Sequence, residues 1–175
     1  MEFSLSWLAD YVDLPLRLEA DASGRHGASA LDERERQEEK AKSFQIGEKL
    51  TAVGLAVEGL AEHRVAPADE GRVGATAVEI TLDIDVTSNR PDCMCHLGVA
   101  RELAVALDQP LKRPPTPIYG SFSSDGTTGA VVLEDPEGCP RYVARIVRGV
   151  QIGPSPDWLR TRLESIGLRS INNVV

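Results

Sequence analysis

No apolar run in these 175 residues approaches the roughly 20 needed to span a bilayer as a helix. The opening MEFSLSWLAD carries acids where a secretory signal needs basic residues. A cytoplasmic, soluble protein with no membrane partner is therefore expected. Basic residues are also in short supply: 19 lysines and arginines face 27 acids, a net charge of -8, and so acidic a chain repels a polyphosphate overall. Cysteine is scarce and odd in number, at Cys93, Cys95 and Cys139, which argues for free thiols over a disulfide framework. There is no phosphate-binding glycine loop, nucleophile elbow or metalloprotease helix. The three histidines, His26, His63 and His96, are too scattered for a triad. No catalytic residue is assigned.

What remains is an ordinary globular composition, 42% apolar and 26% charged, enough for one domain or two small ones and too apolar for a disordered chain. Cys93-x-Cys95-His96 invites a zinc module, but zinc thiolate pairs sit two to four residues apart and a second pair is missing. Buried or helix-end thiols, with no metal, are the preferred reading. Asp83 and Asp85 alternate along one strand, where a solvated face explains them better than general acid–base work.

Periodicity divides the chain. Residues 2–5 read as a short strand, and Ser6 as the N-cap of a brief helix through Trp7, Leu8, Tyr11 and Val12 that Pro15 closes. Within 19–42, a Gly/Ser/Ala stretch precedes DERERQEEKAK, where Asp32 and Arg36, and Glu38 and Lys42, are one helical turn apart without an apolar stripe. This block reads as a solvated helical extension or flexible insert. Phe44, Ile46, Leu50 and Val53 then approximate one helical face, with Gly54 placed for a left-handed cap.

A strand over 55–60 and a loop over 63–75 follow. The clearest period is at 78–86, where Val78, Ile80, Leu82, Ile84 and Val86 alternate with polar residues, the pattern of a strand buried on one side. Ser88-Asn89-Arg90-Pro91-Asp92 breaks it, and Leu97, Ala100, Leu103, Ala104 and Leu107 make the next helix. Prolines at 110, 114, 115 and 117 and a Gly/Ser/Thr run mark a linker over 114–129. Beyond it, 130–133 and 142–150 read as strands. Ser155-Pro156-Asp157 opens a helix with Trp158, Leu159, Leu163 and Ile166 on its buried face, Gly167 ends it, and 171–175 begins an apolar strand.

Two constellations stand out. The proline-stiffened corner Asn89, Arg90, Pro91 and Asp92 can bind an anion or fix an interdomain contact; equally, Arg90 can bond Asp92 while Asp92 caps the following helix. Arg141, Arg145 and Arg148 surround Tyr142 in a stretch, 141–175, that holds 6 basic and 2 acidic residues, whereas 1–90 holds 10 and 18. They form a basic patch with an aromatic, suited to RNA contact.

Four blocks in order carry a resemblance to the N-terminal part of the bacterial phenylalanyl-tRNA synthetase beta subunit: FSLSWLADYV, LTAVGLAVE, LDIDVTSNRPDCMCHLGVARELA and DPEGCPRYVARIVRGVQIGPSPDWLRTRLESIGLRSINNVV. The resemblance implies an α+β chain: a small, helix-rich, winged-helix-like B1 domain over 1–113 with the charged insert near 19–42, the linker, and over 130–175 the truncated start of the mixed α/β, editing-type B3/B4 domain. The family's OB-fold tRNA-binding insert is missing at 63–75. What it implies of function is subunit assembly with the alpha subunit in a heterotetramer and positioning of tRNA-Phe, with ATP and Mg2+ used by the assembled ligase, none bound by this stretch, and the editing pocket outside it. Asn89, Arg90, Pro91 and Asp92 are then a structural or interdomain motif. The alternative is a free-standing interaction module derived from that subunit, which recognises a partner through the charged helix 32–42.

Overall fold

The computed structural model describes residues 1–20, 25–27, 31–65, 77–116, 131–142 and 146–175. Its elements in chain order are β1 (Glu2–Ser4), α1 (Leu5–Ala9), β2 (Glu19–Ala20), β3 (His26–Gly27), α2 (Glu33–Ala52), β4 (Ala56–Val65), β5 (Ala77–Asp85), a 3-10 turn (Pro91–Cys93), α3 (His96–Leu107) and α4 (Asp157–Ser165). The class is α+β. Three strands form an antiparallel sheet in the order β1-β5-β4, and β2 pairs with β3 in a two-residue ladder.

The central strand is the one with the strongest alternation. Leu82 pairs with Phe3 on one side and Leu60 on the other, and Leu82 and Ile84 are fully buried. The register of β4 steps between Val57 and Gly59, leaving Glu58 as the extra residue of a bulge. Helices α1, α2 and α3 close the core, in which Leu8, Ile46, Leu50, Val99 and Leu103 lie with no more than 1% of their surface exposed. Gly47 lets α2 approach the sheet: a Cβ there would stand 3.2 Å from Val57 Cγ1.

The charged block at 32–42 is helical and mostly exposed, as expected, but it is not a separate extension. It is the first half of α2, one continuous helix of 20 residues, begun by a reciprocal capping box in which Asp32 accepts from the Glu35 amide and Glu35 from the Asp32 amide. Its internal ion pairs are Arg34–Glu38, Arg36–Glu33 and Lys42–Glu39, so Asp32 and Arg36 do not pair as their spacing suggests, while Glu35 pairs with Arg17 and Lys40 with Glu62 on β4. Glu39 and Ser43 are buried, which gives the helix an inward face made partly of polar residues, while Phe44 is exposed. Gly54, at φ +98°, ends the helix as its position suggests.

Other expectations need correction. Ser4, not Ser6, caps α1, because its hydroxyl accepts from the Trp7 amide at 3.0 Å while Ser6 is already inside the helix. Strand β4 extends through Val65, into the stretch read as a loop; 66–76 lie outside the described residues, as do 117–130 of the linker. No strand forms at 131–133, at the described part of 142–150, or at 171–175. A strand needs a neighbour to take its ladder hydrogen bonds, and no described segment supplies a paired strand there. What does form is local: Asn173 donates its amide to Gly153 O and accepts from Gly153 N, both at 3.0 Å. Pro156 stands at the N-cap of α4 and Ser155 makes no cap bond, accepting instead from Ser170 Oγ. Trp158, expected on the buried face, is exposed. Gly167 ends α4 at φ +76°.

Replacing Leu103, 0% exposed, with alanine removes core volume that the surrounding helices cannot refill. It should cost about 3 kcal/mol, seen as a lower urea midpoint with an unchanged slope.

Candidate functional site

The break after β5 is built around one guanidinium. The Arg90 amide donates to Thr87 O at 2.9 Å, turning the chain, and Thr87 Oγ1 donates to Asn89 Oδ1 at 2.6 Å. Pro91 opens the 3-10 turn. Arg90 Nε and Nη2 then donate to both oxygens of Asp92 at 3.1 and 3.0 Å, and Nη2 also reaches Cys93 Sγ at 3.0 Å and Glu102 Oε1 at 2.9 Å. This fork holds the Asp92 carboxyl at about 2 and moves the guanidinium's own pKa further up. Burial, with the Asp92 hydrogen bond second, pushes the Cys93 thiol up to about 11. Asp92, Cys93 and Glu102 bring three metal-type donors within 4.8 Å of one another, but Arg90 already spans them.

The corner does not cap α3 through Asp92. Cys95 occupies the N-cap without a side-chain bond. Instead the turn presses directly onto the helix: a Cβ on Gly98 would lie 1.7 Å from Asp92 O, so only glycine permits this approach.

Cys95 and His96 do not join Cys93 in a ligand set. Cys95 is exposed, and His96, 9% exposed, turns into the core, where its Nε2 accepts the Ser4 amide at 3.1 Å. Its ring stacks on Trp7 at 4.0 Å and meets Phe3 edge-on at 5.2 Å. Burial, and secondarily the charge of Arg162, lower its pKa to about 4.

Next to it lies a second buried polar group. Glu79 Oε1 accepts Ser4 Oγ at 2.8 Å and the Ser6 amide at 3.0 Å. Burial raises the Glu79 pKa against the opposing pull of Ser6, Ser4 and Arg162.

Arg162 of α4 completes the cluster. Its guanidinium lies 5.3 Å from the Trp7 ring centroid, pairs with Asp10 and contacts His26 O. Asp10 in turn accepts the His26 amide at 2.8 Å and contacts His26 Nδ1 at 3.0 Å. Arg25 covers the Trp158 ring at 4.3 Å. Thus two cation–aromatic contacts and one ion pair seat α4 on the N-terminal elements.

None of Arg162, Trp7, Asp10 or Glu79 stood out in the sequence, since the contacts join residues up to 152 positions apart. Asp83 is half-buried and Asp85 exposed near the end of the central strand, Asp83 pairing with the N-terminal amine at 2.8 Å. Of the proposed RNA contacts, Arg141, next in sequence to exposed Tyr142, and Arg148 are exposed with no ion pair to any described residue, whereas Arg145 lies outside the described residues.

The folded state keeps His96 neutral down to about pH 4, whereas the unfolded chain protonates it near 6.5. The unfolded state therefore binds the extra proton between those values, and the contribution of His96 falls as pH drops through them. The stability difference between the parent and a His96→Gln variant should shrink by about 3 kcal/mol from pH 7 to pH 4. Urea unfolding of both at each pH measures it, and the opposite tendency of Glu79 cancels in the difference.

Comparison with known proteins finds relatives in sequence. Residues 138–175 match the B3/4 domain family. The chain is 48% identical over 97 residues to the phenylalanine–tRNA ligase beta subunit of Rhodopirellula baltica, a match covering 55% of this chain and 14% of the relative. It is 48% identical over 97 residues to that of Thermotoga maritima, covering 55% and 12%. Against that of Bdellovibrio bacteriovorus, it is 40% identical over 134 residues, covering 72% and 16%. No solved structure matches. The chain thus spans a small fraction of the length of the relatives it matches, and over that fraction it is related in sequence to the phenylalanine–tRNA ligase beta subunits.

Proposed function

We propose that this chain serves as a docking and positioning part of a phenylalanine–tRNA ligase. It would help to hold the alpha subunit in a heterotetramer and guide tRNA-Phe, while the chemistry takes place on other surfaces of the assembly. The sequence relationship carries this reading, at 48% identity over 97 residues to a beta subunit. In it, residues 1–113 act as a winged-helix-like B1 unit, 114–129 as a linker, and 130–175 as the start of a B3/B4 domain, which the match at 138–175 supports. The site of action is cytoplasmic; no helix among the described residues is long and apolar enough to cross a membrane.

The polar groups support a structural role for this stretch. Arg90, Asp92, Cys93 and Glu102 satisfy one another, and His96 and one oxygen of Glu79 are committed to Ser4 and Ser6. ATP and Mg2+ belong in this reading to the assembled ligase: the close trio of metal-type donors is occupied by a guanidinium, so no step is assigned to them here. A separate partner-recognition module built on 32–42 loses its footing, because those charges pair with one another and with Arg17 and Glu62, on a helix that belongs to the core.

Exposed Arg141 and Arg148, unpaired with any described residue, are the assigned tRNA contacts, and Asn89, Arg90, Pro91 and Asp92 the corner that sets the strand-to-helix geometry for assembly. Co-expression of the chain with a phenylalanine–tRNA ligase alpha subunit should give a complex of fixed ratio that retards tRNA-Phe. Replacing Arg141 and Arg148 with alanine should weaken retention and lower the salt slope of binding by about 2. A chain that purifies alone, or an unchanged slope, refutes the corresponding half of the proposal.

A further inference from the structure

We propose that the cavity enclosed by α1, α2 and β5 is a binding site for a primary alkylammonium group, whose head is held by the carboxylate of Glu79. The cavity encloses about 30 Å³ and widens to about 310 Å³ with its open mouth. Two buried carboxylates line it, Glu79 at 4% and Glu39 at 3% exposure.

They are not equivalent. Glu39 Oε2 accepts the Arg17 amide at 2.8 Å and its other oxygen pairs with Lys42, so its charge is compensated. Glu79 receives both of its hydrogen bonds on Oε1, leaving Oε2 without one from any described residue, and no cationic side chain among them pairs with it directly. The charged groups around it are Glu39 on α2, Arg17 at the cavity wall and, acting only through space, Arg162 on α4. Burial pushes this carboxyl towards its neutral form, and a positively charged donor placed at the open oxygen would restore the carboxylate by pairing with it.

The remaining walls narrow the choice. Leu5, Leu16, Val78 and Ile80 are apolar, which suits an aliphatic tail and offers nothing to a hydrated ion. The enclosed space exceeds the roughly 10–15 Å³ that one water-sized group needs, and a primary ammonium is of that size, with donors to spend on Glu79 and Ser6. A phosphate or carboxylate would meet two acids. A divalent cation wants six or more oxygens, and these carboxylates belong to no cluster of three metal-type donors among the described residues.

The probe is n-butylammonium, titrated calorimetrically into the full chain at several pH values. Saturable one-to-one binding is expected, stronger than that of potassium or of tetramethylammonium, whose head is too wide. Its affinity should fall by about tenfold per pH unit once Glu79 protonates. Glu79→Gln should weaken it by at least about tenfold. Val78→Trp, which fills the half-buried rim without touching the carboxylate, should do the same and serves as the second test if Glu79→Gln does not fold. An N-acetyl-lysine amide distinguishes the source: binding equal to that of butylammonium indicates a lysine side chain of another protein, and exclusion at the mouth indicates a small free amine. Absence of saturation, equal binding of potassium or tetramethylammonium, or indifference to both substitutions overturns the proposal.

Discussion

The hydrogen bond from the Ser4 amide to His96 Nε2 is the contact on which the arrangement around it depends. Because Nε2 accepts, the ring proton of the neutral imidazole sits on Nδ1, and protonation of Nε2 would set a donor against a donor. The same Ser4 caps α1 with its hydroxyl and donates to Glu79. One residue therefore fixes the edge strand, the first turn of α1, the orientation of α3 and the position of a buried carboxylate. Trp7, placed by that turn, stacks on His96 and also meets Arg162. The seat of α4 is thus inherited from the geometry of residues 4–7.

Burial in this cluster works in opposite directions on its two titratable members. It lowers the histidine and raises the glutamate, so both are pushed towards their neutral forms. Arg162 moderates the glutamate and aggravates the histidine, since its positive charge favours one anion and opposes one cation. The cation has its own partner in Asp10, which spares Glu79 from having to supply the counter-charge. That division explains how a buried acid can stand one helix away from a guanidinium and still lack an ion pair.

What was legible in the sequence was whatever depends on neighbours along the chain. The alternation of Leu82 and Ile84, the left-handed glycines 54 and 167, and the break at 88–92 are all local instructions, and each acts where it stands. Glu79 and Thr81 misled, because an acid in an alternating strand reads as wet when nothing local reveals that Ser4 and Ser6 cover it. The charged half of α2 misled for a related reason: helical periodicity counts apolar residues, and its inward face is Glu39 and Ser43. Among the described residues after 130 the apolar segments at 131–133, 146–150 and 171–175 were wrongly read as strands, since strand formation is decided by a partner and not by the segment itself. Gly98 carried a signal that went unread: a glycine one turn into a helix marks a close approach, here by the Asp92 carbonyl.

The acidic balance of the chain does not contradict a nucleic-acid contact near its C-terminal end. Charges separated by more than about 8 Å at physiological salt are largely screened from one another, so what an RNA phosphate feels is the local set. In α4, Arg160 is paired with Asp157 and Arg162 with Asp10, which cancels much of the helix's own positive charge. Arg141 and Arg148 lack such partners among the described residues and lie next to exposed Tyr142 and Val147. The useful field is therefore carried by the irregular segment and not by the helix. The unpaired arginine stems of Arg141 and Arg148 are free to follow a nucleic-acid backbone, whereas Arg160 and Arg162 of α4 are already spent on Asp157 and Asp10.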